Sequence, residues 1–110
     1  MRNESRGTLL GDAITVADTR HERNVGLLKH QGLEEGEGLW IVPCLSVHTF
    51  FMKFAIDLVF LDKQRRVRKV RCAVPPWRIS GCLWAHSVLE LPPGSVAKTG
   101  TLPGDQLSIE

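Results

Sequence analysis

The chain has 110 residues, 43% hydrophobic and 24% charged, which is ordinary globular usage and enough for one core but not two. Fourteen Lys and Arg against twelve Asp and Glu leave a net charge of +2, far short of the basic excess that would put nucleic acid first among partners. No run approaches the ~18 apolar residues of a membrane span, and the segment from Met1 to Gly7 lacks the apolar stretch of a secretory signal, so the expectation is a cytoplasmic protein with no membrane insertion.

In chain order, residues 1–11 carry no clear periodicity and are expected to form a flexible N-terminal segment ahead of a single domain over 12–110. The β-branched run Ala13-Ile14-Thr15-Val16-Ala17 predicts a first strand. Thr19-Arg20-His21-Glu22 has the form of a capping box, so a helix should begin there. Val25, Leu27 and Leu28 supply its apolar face and Gly32 a stop, which gives roughly three turns over residues 19–30. An acidic, glycine-containing loop over 34–38 leads into the short strand Leu39-Trp40-Ile41-Val42.

Residues 47–62 form an apolar block in which His48, Lys53 and Asp57 are embedded. Two strands are expected there, around 47–53 and 57–62, with a break near residues 54–56 that would turn Lys53 and Asp57 toward a common polar patch at the mouth of a cleft, where they could pair. The turn Asp62-Lys63-Gln64-Arg65 then leads into a strand over 66–74. Val67 and Val70 are three apart, which breaks the period of two and predicts a bulge or a strongly twisted edge. Residues 75–82, rich in proline and glycine around Trp77, should be a loop closing over one end of the sheet. Ser87–Leu91 predicts a further strand, Ser95–Thr99 a helical turn closed by Gly100, and Pro103-Gly104-Asp105 a turn into a last strand over 106–109. The fold class is therefore mainly β, a small antiparallel barrel or sandwich with one helix near the N-terminus and a short helical turn near the C-terminus.

Several residue sets suggest chemistry. Cys44-x-x-x-His48 and Cys82-x-x-x-His86 would make a tetrahedral zinc set if they met. In extended chain, however, the two ligands of each pair lie about 13 Å apart, so no metal is assigned and no cofactor expected. Cys72 or Cys82 paired with His48 or His86 would suit a nucleophile and base, but sequence spacing shows neither contact nor a lowered thiol pKa. Three cysteines, an odd number, fit reduced thiols better than a disulfide such as Cys72–Cys82. Six cations lie between Lys63 and Arg71. With no interleaved aromatics, they read as a solvated edge that resists strand pairing more than as a phosphate stripe.

The ordered motifs support a family resemblance: Asp18-Thr19-Arg20-His21-Glu22-Arg23 with Gly26-Leu27-Leu28, then Gly36-Glu37-Gly38-Leu39-Trp40-Ile41-Val42, Phe51-Met52-Lys53, Ile56-Asp57, Val59-Phe60-Leu61-Asp62, Val88-Leu89-Glu90-Leu91-Pro92 and Gly104-Asp105. The chain resembles the prokaryotic domain-of-unknown-function 192 family over residues 12–110. The resemblance implies a small, mainly β fold with short helices and no assigned substrate, in a family many of whose members are exported. Three positions depart from the pattern: Ala55 in place of proline, Arg65 in place of a turn glycine, and Pro93 in place of alanine. A left-handed Arg65 would cost roughly 1 kcal/mol.

These readings converge on a binding or accessory module more than on an enzyme. Its expected site is a polar cleft at one end of the β structure, lined by His48, Lys53, Asp57, Trp77 and Glu90, for a small molecule or protein. A small-molecule enzyme using the same cleft is the alternative, and would need a titratable pair within about 3 Å.

Overall fold

A strand buried on both faces reads as a continuous apolar run, and two such runs make the center of this molecule. In the computed structural model, which describes residues 1–27 and 30–109, all six residues of Ile56–Leu61 and all five of Ser87–Leu91 are buried. Taken in chain order, the strands are β1 (Arg2–Asn3), β2 (Thr8–Leu9), β3 (Ala13–Ala17), β4 (Glu37–Ile41), β5 (Ser46–His48), β6 (Ile56–Leu61), β7 (Val67–Val74), β8 (Ile79–Gly81), β9 (Ser87–Leu91) and β10 (Leu107–Ser108). Two short helices, α1 (Arg20–Val25) and α2 (Ser95–Thr99), complete the described elements.

The main sheet has the order β3-β4-β9-β6-β7. Its β3–β4 pair is parallel and the remaining pairs are antiparallel. Strands β3 and β7 remain as edges, so the mainly β fold expected from the sequence is present but the sheet does not close into a barrel. Period-two alternation sends Ile56, Leu58, Phe60 and Val88 into one core, where Leu27, Leu39, Ile41 and Met52 join them. Val59, Leu61, Leu89 and Leu91 enter a second core on the opposite face, with Met1, Leu10, Val67, Val96 and Leu107.

The N-terminal segment belongs to that second layer instead of trailing as a flexible lead. Strand β1 lies between β10 and β2, and the Met1 ammonium donates to the Gly11 carbonyl at 2.9 Å. Buried Asn3 donates to Thr101 Oγ1 at 3.1 Å and to Asp105 Oδ2 at 3.0 Å.

The capping box forms as its residues dictate: Glu22 N–H donates to Thr19 Oγ1 at 3.1 Å, and Thr19 N–H to Glu22 Oε1 at 3.2 Å. Helix α1 is nevertheless six residues long, well short of three turns. It stops at Gly26, whose φ of +51° lies outside the helical range and whose N–H closes on the Glu22 carbonyl. Leu27 then turns into the core from outside the helix. Leu28, the third expected apolar position, lies outside the described residues.

Of the expected strand over 47–53, only Val47 and His48 are extended, as part of β5, which pairs with β8 in a separate two-stranded ribbon. The 75–82 loop therefore contains a strand. The chain leaves regular structure after His48 and resumes it at Ile56, so the 54–56 break lies within a longer irregular passage. Register shifts in the β6–β7 pair fall between Ile56 and Leu58 and between Phe60 and Leu61, the second opposite the Val67–Lys69 stretch. In the turn between these strands Arg65 is left-handed, with φ +62°. The Asp62 side chain offsets that strain: its Oδ1 accepts N–H bonds from Gln64 and Arg66, both at 2.9 Å.

Candidate functional site

Glu90 occupies the center of the main sheet, paired across strands with Leu39 and Leu58. Directly paired residues project to the same face, so its carboxyl points into the core that holds those leucines. The residue is only 3% exposed, and its side chain makes no hydrogen bond or ion pair among the described residues. Burial without a partner disfavours the charged form, and it pushes the Glu90 pKa from an ordinary 4.5 up to about 7. The surrounding apolar strands thus hold a carboxyl that changes protonation near neutrality.

That carboxyl borders a cleft of about 440 Å³. Arg23 and Asn24 of α1 form one wall, and Cys44, Val47 and His48 form the facing wall ahead of and within β5. Leu27, Ile41 and Met52 supply apolar lining. The C-terminal stop at Gly26 matters for this geometry, because it ends the helix beside the cleft and lets Leu27 drop beneath it. Gly38 keeps β4 close to β9: a Cβ there would lie 2.9 Å from the Glu90 carbonyl oxygen and 2.8 Å from Ile14 Cδ1.

Cys44 is half-buried, and its thiol donates to the Ser46 carbonyl at 3.1 Å. Burial pushes its pKa up; the hydrogen bond with the Ser46 backbone opposes the rise, the Glu90 carboxylate adds to it and the Arg23 guanidinium opposes it more weakly. A raised thiol pKa leaves little thiolate at neutral pH. Alkylation with iodoacetamide at neutral pH should therefore modify exposed Cys72 first and Cys44 much more slowly, as followed by peptide mass spectrometry. Equal rates at the two positions would show that the cleft does not shield Cys44.

Of the five residues expected to share a cleft, His48 and Glu90 line this one. Lys53 is exposed and outside it. Asp57 is fully buried on the opposite face, where it accepts N–H bonds from Ala73 at 2.8 Å and Val96 at 2.9 Å. The bend between β5 and β6 therefore does not bring Lys53 and Asp57 together. Trp77 is exposed at the end of the ribbon and packs against Phe50 and Phe51, with ring centroids 5.7 Å and 4.7 Å away.

The cleft residues missed by sequence reasoning are Arg23, Asn24, Cys44 and Met52. The capping box located the helix that carries the first two but not the surface that it faces. The two Cys-x-x-x-His segments do run side by side: Cys44 N–H donates to the His86 carbonyl at 2.8 Å, and Cys82 N–H to the Leu45 carbonyl at 2.9 Å. The two segments thus meet through their backbones. Among the described residues, no three His, Cys, Asp or Glu side chains group in a way that could hold a metal ion.

Comparison with known proteins finds relatives of this chain both in sequence and in fold. A UPF0127 protein of Thermococcus sibiricus is 29% identical over 117 residues, covering 98% of this chain and 73% of that protein. One from Thermococcus gammatolerans is 30% identical over 112 residues, covering 96% and 72%. The fold resembles the crystal structure of a protein of unknown function from Novosphingobium aromaticivorans, with a TM-score of 0.79 at 23% identity over 87% of this chain and 74% of that one. It also resembles a putative transcription regulator from Sinorhizobium meliloti, with a TM-score of 0.79 at 21% identity over 86% and 79%. The family model described as Uncharacterized ACR, DUF192, matches residues 1–109, and the chain belongs to that domain-of-unknown-function 192 family.

Proposed function

We propose that the chain is a binding module that receives a small molecule in the α1 cleft, where Glu90 meets a cationic or hydrogen-bond-donating group of the ligand. The observation that carries this reading is the Glu90 carboxyl itself. It is buried and unpaired among the described residues, yet it borders open volume. Its oxygens are not among the fully enclosed unpartnered atoms and keep a slight exposure to the cleft, so a donor or cation entering there can reach them. Apolar lining from Leu27, Ile41 and Met52 suits the aliphatic part of such a ligand.

An acid–base enzyme in the same cleft is the second reading, favoured by the pKa near 7. It needs a second titratable group in contact, and Glu90 makes no hydrogen bond to His48 or Cys44 among the described residues. Binding is therefore the better-supported function.

Titration with n-butylammonium, using n-butanol as the neutral control, tests the reading by NMR. The Glu90 carboxyl should titrate well below 7 once the amine is bound, amides around Arg23 and Cys44 should shift saturably, and Glu90→Gln should abolish both effects. A Glu90 midpoint and cleft amides that stay unmoved at millimolar amine would sink the proposal.

A further inference from the structure

The two-stranded ribbon carries a second surface, independent of the cleft. Large apolar side chains that stay in water are normally scattered singly. Here Leu45, Phe51, Trp77, Ile79, Leu83 and Trp84 are all exposed, and all lie on the ribbon or the turns at its ends. Leu83 is 85% exposed and Trp84 75%, on a turn closed by the Ala85 N–H to the Cys82 carbonyl at 3.0 Å. At the other end, Thr49 joins its turn to the proline–tryptophan loop: its N–H donates to the Arg78 carbonyl and its hydroxyl to the Pro75 carbonyl. Ile79 projects outward between the two tips, beside its partner His48.

The backbone adds an independent observation. Phe51 and Trp77 hold φ values of +66° and +68°. For non-glycine residues that conformation costs roughly 1–2 kcal/mol each. This strain keeps two aromatic side chains at a tip where they remain in solvent, a pattern associated with functional surfaces.

Charge identifies the occupant. From Lys63 to Leu89 the chain contains seven Lys and Arg and no Asp or Glu, and residues 43–54 are also free of acids. Lys69 and Arg71 pair across strands with Phe60 and Leu58, so they project to the ribbon's side of the sheet. Lys69 Nζ donates to the Gly81 carbonyl at 2.6 Å, which ties that edge to β8. Lys53, Arg71 and Arg78 are exposed and have no ion-pair partner among the described residues.

We infer that the ribbon docks on an anionic lipid bilayer, with Leu83, Trp84, Phe51 and Trp77 seated among the headgroups and Lys53, Arg71 and Arg78 meeting lipid phosphates. Tryptophan and aliphatic tips flanked by unpaired cations suit an interface that is apolar below and negative above. Single-stranded nucleic acid fits less well. Phe50 and Phe51 already pack on Trp77, Leu83 and Ile79 present no ring, and Trp84 alone would give a base a single platform where a strand of bases needs several. The protein would lie on the membrane without spanning it.

Sedimentation with vesicles of equal phosphatidylglycerol and phosphatidylcholine, compared with pure phosphatidylcholine, tests this. Wild type should bind the anionic vesicles at least tenfold more strongly, with a blue-shifted tryptophan emission and a loss of binding at high salt. Leu83→Ser combined with Trp84→Ser should weaken binding tenfold or more. Arg71→Ser with Arg78→Ser should weaken it about 25-fold, at about fivefold per cation near an anionic surface. All four positions are exposed, so circular dichroism should match wild type. Failure to bind anionic vesicles would overturn the inference, as would binding unchanged in both double variants. So would a stable dimer that covers this face, or an oligonucleotide complex on it in place of vesicle binding.

Discussion

Asp57→Ala should destabilise the fold by about 3–5 kcal/mol, because two hydrogen bonds to a carboxylate contribute ~1.5–3 kcal/mol each. The Asp57 carboxylate joins two elements distant in sequence. Its Oδ1 accepts from Ala73, within the irregular part of β7, and its Oδ2 accepts from Val96 in the first turn of α2. Helix α2 has Gly94 at its N-cap and no side-chain cap of its own, so Asp57 supplies from β6 the acceptor that a local serine or aspartate would normally provide. Removing it leaves the buried Val96 amide without a partner. Urea unfolding should show a lower midpoint with an unchanged slope, the signature of lost stability in a two-state domain. Asp57→Asn keeps one acceptor oxygen and should lose about half as much. Lys53→Ala should stay within about 0.5 kcal/mol, as surface changes usually do. A normal midpoint for Asp57→Ala would refute this structural role.

The Asp57 and Lys53 pair shows where sequence reasoning stops. That a charge sits inside Ile56-Asp57-Leu58-Val59-Phe60-Leu61 is plain in the sequence, and so is the need for a partner. The partners are backbone N–H groups on β7 and α2, which leave no mark in residue identity, so the nearest cation was paired with Asp57 instead. Strands β6 and β9 were legible because burial on both faces demands continuous apolar runs. The capping box and the α2–Gly100 turn were legible because their chemistry is local. Strand β5 was not: three residues pairing with Ile79–Gly81, some thirty positions away, carry no periodicity of their own. The N-terminal segment was missed for a related reason, since Asn3 is fixed by Thr101 and Asp105 at the far end of the chain. Within the cleft, Glu90 stood out as the one charge in the apolar run Ser87–Leu91. Arg23 and Cys44 depend on how α1 and the residues after β4 meet, and that is set by tertiary packing.

Glu90→Gln should make the protein more stable, and only toward alkaline pH. A carboxyl whose pKa rises from 4.5 in the unfolded chain to about 7 in the fold binds its proton more tightly when folded. Below 4.5 both states carry that proton and burial of the neutral group brings no ionisation penalty. Between 4.5 and 7 the unfolded chain releases the proton while the folded one holds it, so stability falls as pH rises. Above 7 the folded state must carry a desolvated charge, and the full penalty is present. At ~1.4 kcal/mol per unit of pKa difference, that penalty is roughly 3 kcal/mol. Glutamine has nearly the same shape and never ionises. The variant should therefore match wild type near about pH 4 and exceed it by roughly 3 kcal/mol near about pH 8, measured by urea unfolding at the two pH values. Such a result would mean that the chain keeps a carboxyl at a cost to its own stability, as binding sites often do. Equal stability of the two proteins at the higher pH would mean that the carboxylate is already compensated within the fold, and the cleft would lose the feature that makes it a binding site.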